Sequence, residues 1–226
     1  MMKTAALLLA LALWTVPLGA QDPLTTIPEA YKVQFENDWV RVVRVHYEAG
    51  AKLPVHTHPP GTTAYLYLND SEGVVFRHES GSSRVVTRPA VKAGSMRVAV
   101  GAAETHNAEN PASTPSDFLR VQFKTDAKGE RNLRRRIPAN GVAAATEVVV
   151  REEYANAQMR ISRVFIPPGQ FTNARATATQ PALVISLPGG QERWIAAGQH
   201  ERLANSETAP LEFVRIDFLT DPTSAR

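Results

Sequence analysis

The chain has 226 residues, 43% of them hydrophobic and 21% charged, with 25 lysines and arginines against 22 aspartates and glutamates, a net charge of +3. A balance this near neutral, with no basic stripe interleaved with aromatics, argues against nucleic-acid binding. There is no cysteine, which excludes a disulfide framework, thiolate chemistry and Cys-type zinc sites.

The first residues carry Lys3, an apolar run from Ala5 to Trp14, and small residues ending at Ala20. This pattern predicts a secretory signal peptide over residues 1–20, cleaved after Ala20, because the run is too short to cross a bilayer. The mature protein is then expected to be periplasmic or secreted, with no membrane contact after cleavage. The short segments Val42–Tyr47, Ala64–Leu68, Gly73–Arg77, Arg84–Arg88 and Met96–Val100 are rich in β-branched or aromatic residues. Turn residues such as Asn69-Asp70 and Gly81 separate them, so each reads as a strand. Evenly spaced short strands are the pattern of a sandwich or closed barrel.

Residues 126–145 mix charge, Pro138, Asn140-Gly141 and alanines. They read as a linker, with the basic run Arg131–Arg136 solvated. On either side of it lie two copies of one unit. Arg41, Arg44 and Gly50 map onto Arg160, Arg163 and Gly169 with an offset of 119; Asn110 and Phe118–Phe123 map onto Asn205 and Phe213–Phe218 with an offset of 95. The second copy is therefore 119 − 95 = 24 residues shorter between these anchors. An internal repeat fixes the architecture. The expectation is an all-β chain with a first barrel over 21–125 and a second over 146–226.

His56 and His58 stand at i and i+2 on an extended segment and so point to the same face. A third histidine from a distant strand, His106, would complete one face of a coordination shell. Imidazole suits zinc, copper, iron and nickel, so the three read as ligands of a divalent transition metal. His46 and His78 are not assigned to it; His46 could face in or out, and His78 is expected to be exposed near a turn.

The residues around these histidines resemble the cupin family. Gly50, His56 and His58 match one cupin motif, although Thr62 and Thr63 stand where its Glu belongs. His106 and Asn110 match the His-x3-Asn end of the other, with Gly101 displaced and Val91–Gly94 in place of Pro-x-Gly. The resemblance covers roughly residues 35–125. It implies a double-stranded β-helix barrel with metal ligands on its inner wall, and the repeat then implies a bicupin. It also implies Fe2+ as the first choice of metal, since three-histidine iron cupins exist, with Zn2+, Mn2+ or Ni2+ as alternatives.

The offsets map His56 to Arg175, His58 to Thr177 and His106 to Glu201, with His200 one place off and therefore on the wrong face. The second copy is expected to lack the metal site, leaving Arg175 as a surface residue or an anion clamp. Glu104, at i−2 from His106, could return the missing carboxylate, or could face solvent. Thr62 or Thr63 could orient a bound water. Tyr65 and Tyr67 line the pocket if Thr63 takes the register of the lost Glu; Leu66 and Leu68 do so if Thr62 takes it. Function stays open between a metal-dependent dioxygenase-type enzyme on a small molecule, a non-catalytic exported metal- or ligand-binding protein, and a sugar-acid isomerase or lyase. Fold does not choose among these. Two barrels paired within one chain predict a monomer or loose homodimer.

Overall fold

A computed structural model describes residues 22–79, 84–131, 133–139 and 145–223. The expected leader lies outside the described residues, as do positions 132 and 140–144 of the expected linker. Apart from one helical turn, α1 (Pro23–Thr26), the described regular structure is β-strand. The first half holds β1 (Tyr31–Glu36), β2 (Val40–Tyr47), β3 (Lys52–His58), β4 (Gly61–Tyr67), β5 (Val74–His78), β6 (Arg84–Arg88), β7 (Met96–Gly101), β8 (Glu104–Glu109), β9 (Ser116–Phe123) and β10 (Arg134–Ile137). The second holds β11 (Val149–Ala155), β12 (Met159–Ile166), β13 (Phe171–Arg175), β14 (Ala182–Leu187), β15 (Glu192–Ile195), β16 (His200–Ala204) and β17 (Leu211–Phe218).

Each half pairs a larger antiparallel sheet with a smaller one. In the first they run β1-β2-β9-β4-β7-β10 and β3-β8-β5-β6; in the second, β11-β12-β17-β14-β15 and β13-β16. Strand for strand the halves correspond, except that no described strand of the second matches β5, β6 or β10. Ala64 pairs with Val121 on β9, as Leu183 does with Ile216 on β17, so the offset of 119 still holds at β4. By β9 it has fallen to 95. The shortfall therefore falls on the β5–β6 hairpin and its connections. The basic run expected as a solvated linker is in part strand: β10 pairs with β7 along its length, extending the first half's sheet to Ile137.

Alternation along the strands divides the apolar residues between two destinations. Val43, Val45, Tyr47 and Phe118 fill the interior of the first barrel with Tyr31 and Val74, and Tyr65 and Tyr67 pack there too. Val42, Ala64, Leu66, Leu68, Leu119 and Val121 point the other way and share one core with Met159, Ile161, Leu183, Ile185, Val214 and Ile216 of the second half. A separate cluster fills the second barrel, around Val164, Val184, Leu203 and Phe213. The halves are thus joined face to face by their large sheets.

The join is reciprocal. Arg44 is paired with Asp117 and donates to the Gly189 carbonyl at 3.2 Å. Arg163, its equivalent, is paired with Glu212 and donates to the Gly94 carbonyl. Arg44 and Arg163, and Asp117 and Glu212, are related by the 119 and 95 offsets, and Gly94 corresponds to Gly190, the neighbour of Gly189, since their N–H groups donate to the Tyr67 and Ser186 carbonyls. Each half therefore inserts the same arginine against the same glycine turn of the other. This is the pattern of a two-fold axis within one chain. Motif residues that recur in both copies serve the fold. Gly50 and Gly169 turn with φ of +70° and +73°, a region glycine enters without steric cost. The Asn110 amide donates to the carbonyls of Tyr47, Glu48 and Thr114, and Asn205 likewise donates to those of Ile166 and Ala209.

Candidate metal centre

β3 and β8 are antiparallel neighbours, and His56 lies directly opposite His106. Two residues further along β3, His58 points to the same side. The three side chains are buried, and one ring nitrogen from each lies within 4.8 Å of the others. Ring centroids are 4.8 Å apart for His56–His58, 4.8 Å for His56–His106 and 5.1 Å for His58–His106. The three histidines expected to converge do so.

The surroundings fit a cation. His56 donates from Nδ1 to the Pro54 carbonyl at 2.8 Å, which leaves the Nε2 lone pair free to act; Tyr31 Oη stands 3.2 Å from it. Orienting one imidazole nitrogen by a carbonyl is how metal-binding histidines are commonly held. Both nitrogens of His106 are buried without a hydrogen-bond partner, although buried polar atoms are normally satisfied. A ligand nitrogen accounts for such an orphan. Burial pushes the His106 imidazole down to about 3, with neighbouring His56 and His78 adding to the effect. Burial also lowers His56 and His58. All three are therefore neutral at ordinary pH, the form that binds metal.

β3 carries a bulge between Leu53 and His56; its counterpart β13 pairs with β16 without one. A bulge adds one residue to its strand. From the bulge to the end of β3 the offset between copies is therefore 118 rather than 119, and His56 and His58 correspond to Ala174 and Ala176, not to Arg175 and Thr177. Ala174 is buried and sits opposite Glu201, the counterpart of His106. Arg175 and His200 are opposite each other and exposed, so Arg175 clamps nothing inside the barrel. His200→Ala is expected to leave metal stoichiometry unchanged, as measured by metal analysis of purified protein.

Solved structures share this architecture. AerE from Microcystis aeruginosa matches with a TM-score of 0.58 at 17% identity, covering 84% of this chain and 91% of that one. The bacterial pirin YhhW from Escherichia coli, solved in complex with nickel(II), matches at 0.52 and 14% identity, over 85% and 91% of the two chains. Quercetin 2,3-dioxygenase from Acinetobacter baumannii matches at 0.52 and 9% identity, over 86% and 74%. The chain has the cupin fold. No family model and no curated protein matches its sequence.

Around the histidines the barrel holds residues that the sequence motifs left unassigned. Glu104 lies opposite His58, with its carboxylate 4.0 Å from His106 Nδ1, on the triad's side of the strand. Thr62 donates to Gln158 Oε1 at 2.7 Å, towards the second half, so the register of Thr63 prevails and Tyr65 and Tyr67 face the interior. His78, expected to be exposed, is half-buried opposite His106, with ring centroids 5.2 Å apart. Arg120 presses Nη1 against the edge of the His58 ring, 2.5 Å from Nδ1 and 2.7 Å from Nε2. Arg97 and Arg120 flank Tyr65, their guanidinium carbons 3.7 and 5.5 Å from its ring centre. Burial by itself would raise the Tyr65 hydroxyl, but Arg120 and Arg97 outweigh it and hold its pKa below the ordinary value. A hint was present in the sequence: an arginine breaks the apolar runs Met96–Val98 and Leu119–Val121.

A narrow chamber of about 20 Å3 lies beside the triad, walled by His58, His106, Tyr65, Phe76, Arg97 and Arg120. It shares His78, Arg88 and Glu104 with an outer cavity of about 380 Å3, which Arg84 and Arg134 also line. The outer cavity is built largely on β6 and the end of β5, the hairpin with no counterpart in the second half.

Proposed function

We propose that this bicupin is an exported protein that holds a divalent transition metal through His56, His58 and His106 and acts on a small molecule as a dioxygenase-type enzyme. The observation that carries the reading is the convergence of three buried neutral imidazoles, one with both nitrogens unpartnered. Fe2+ is the metal we favour, with Zn2+, Mn2+ or Ni2+ as alternatives. A cation on imidazoles alone keeps most of its charge and can polarise a bound oxygen atom. The protein's part is to orient His56 through Pro54, to exclude water with Tyr31, Tyr47 and Phe118, and to place Tyr65 where its hydroxyl can exchange a proton with a bound molecule. The name of the quercetin dioxygenase and the nickel(II) held by the pirin support the reading. Metal analysis of purified protein, followed by oxygen uptake against catechols and hydroxy-aromatics, tests it. Stoichiometric metal with no oxygen uptake would favour non-catalytic binding, a reading the narrowness of the inner chamber supports.

Export rests on the pattern of Lys3, the apolar run and Ala20. Sequencing the N-terminus of protein from the producing cell should begin at or near Gln21; intact Met1 in a soluble cytoplasmic fraction would refute it. We further place the metal-holding barrel over 21–125, extended by β10, and a metal-free barrel from about 146. Because the two cover each other's large sheets, a monomer or loose dimer follows.

The depressed histidines shift the acid limit. A site of ordinary histidines would lose metal as pH falls through about 6.5. With His106 held near 3 and its partners lowered, occupancy should persist below about 6.5 and fall where the least depressed of the three takes up a proton. The same shifts make the unfolded chain bind more protons than the folded one between those limits. Stability is therefore expected to decline as pH drops below about 6.5 and to be insensitive to these groups above it. Metal analysis after equilibration across that window, alongside melting curves, measures both.

A further inference from the structure

Among the described residues, Arg88, Arg97 and Arg120 form no ion pair, although thirteen pairs of an arginine or lysine with a carboxylate are found elsewhere. Arg120 is 6% exposed. The Nε atoms of Arg97 and Arg120 are buried without a partner. Stacking on Tyr65 compensates part of the cost of burying these charges, but it leaves in-plane donors unmet. Glu104 is the one carboxylate that lines the inner chamber, against three guanidiniums. A metal on the neutral triad would add to this excess.

The second barrel supplies an internal comparison. Arg215 is the counterpart of Arg120, and it is met by Asp217, which accepts from Nε at 2.9 Å and Nη2 at 2.6 Å. In the first barrel the counterpart of Asp217 is Gln122 (122 + 95 = 217), a neutral residue. The copy with the histidine cluster keeps the arginine and lacks its carboxylate.

We propose that Arg97 and Arg120, with Arg88 at the neck, bind the carboxylate of a small organic acid beside the histidine cluster. The guanidinium fork matches a carboxylate in two-pronged fashion. The volumes assign the orientation. About 20 Å3 is little more than one water-sized sphere, room for a small planar head group and not for the body of the acid. The body of the acid then lies towards the outer cavity of about 380 Å3, with Phe76 lining the neck. Arg84 and Arg134 at the mouth draw the anion in. This names the ligand class of the site described above and rests on that reading for the metal alongside; the three unpaired arginines do not depend on it.

Benzoate, its neutral isostere benzamide and inorganic phosphate are the probes, titrated calorimetrically into the full chain both after chelation and after loading with Zn2+. Benzoate is expected to bind both forms. Arg120→Gln and Arg97→Gln should each weaken it by about tenfold or more, the scale of a lost charged hydrogen bond. Arg88→Gln should weaken it less, and Arg193→Gln, on the far barrel, not at all. Benzamide and phosphate should bind about tenfold or more weakly than benzoate. Should Arg120→Gln fail to fold by its melting curve, the other two variants decide. Equal affinity for benzamide, tighter binding of phosphate, no binding of benzoate, or unchanged affinity in the arginine variants would each overturn the proposal. Benzoate binding to a chain that takes up no Zn2+ would sink the metal reading and leave this one standing.

Discussion

His56→Ala is expected to reduce bound metal from one per chain to background. Loss of an outer partner of a ligating histidine alone weakens metal binding by about 10–100-fold, so loss of the ligand itself should exceed about 100-fold. His56 is the central member of the cluster: its ring is 4.8 Å from both other histidines, and it alone has a nitrogen fixed by a backbone carbonyl. The barrel should survive the change, because β3 and β8 remain paired and the apolar interior around Val45, Tyr47 and Phe118 is untouched. Metal analysis together with circular dichroism checks both halves of the expectation. If the purified wild type holds no more metal than the variant, the centre is not a metal site.

Phe218→Ala should be the most damaging of the simple core changes. Phe218 is fully buried at the end of β17. It packs against Trp39 and Phe123 of the first half at ring separations of 5.9 and 5.4 Å, and against Trp194 of its own half at 5.4 Å. Truncating a buried Phe costs about 3–5 kcal/mol, which for a domain of this size lowers the melting temperature by about 6–20 °C. Because the core it leaves is shared, both halves should melt together in one calorimetric transition. A variant in which the second half melts alone, with the first unchanged, would show that the large sheets do not couple the barrels.

Much of this was legible in the sequence because it depends on local pattern. Alternation in Val42–Tyr47 and Met96–Val100 marked strands, the spaced repeat marked two barrels, and a His-x-His pair on a strand fixes two ligands to one face whatever the surroundings. What escaped depends on contacts between distant segments. The interior facing of Tyr65 follows from Thr62 reaching Gln158 in the other half, which no local pattern encodes. Arg120 marked the repeat through its likeness to Arg215, and its lack of an acid shows only once Asp217 is seen to satisfy that counterpart. The strand within the basic run was hidden by composition: Arg134–Arg136 are exposed on an edge, where charged side chains are tolerated and help block further pairing.

The bulge in β3 has a practical meaning for anyone wishing to install chemistry in the idle barrel. Histidines written in at Arg175 and Thr177, where plain alignment would put them, would project into solvent. The positions to change are Ala174 and Ala176, together with Glu201 across the ladder, and the two alanines leave little room for imidazole rings unless the tightly packed wall around Leu203 is relaxed as well. Conversely, deleting one residue at Pro54 or Val55 should turn over the end of β3, carrying both native histidines out of the first barrel and Thr57 into it, a one-codon change that dismantles the histidine cluster.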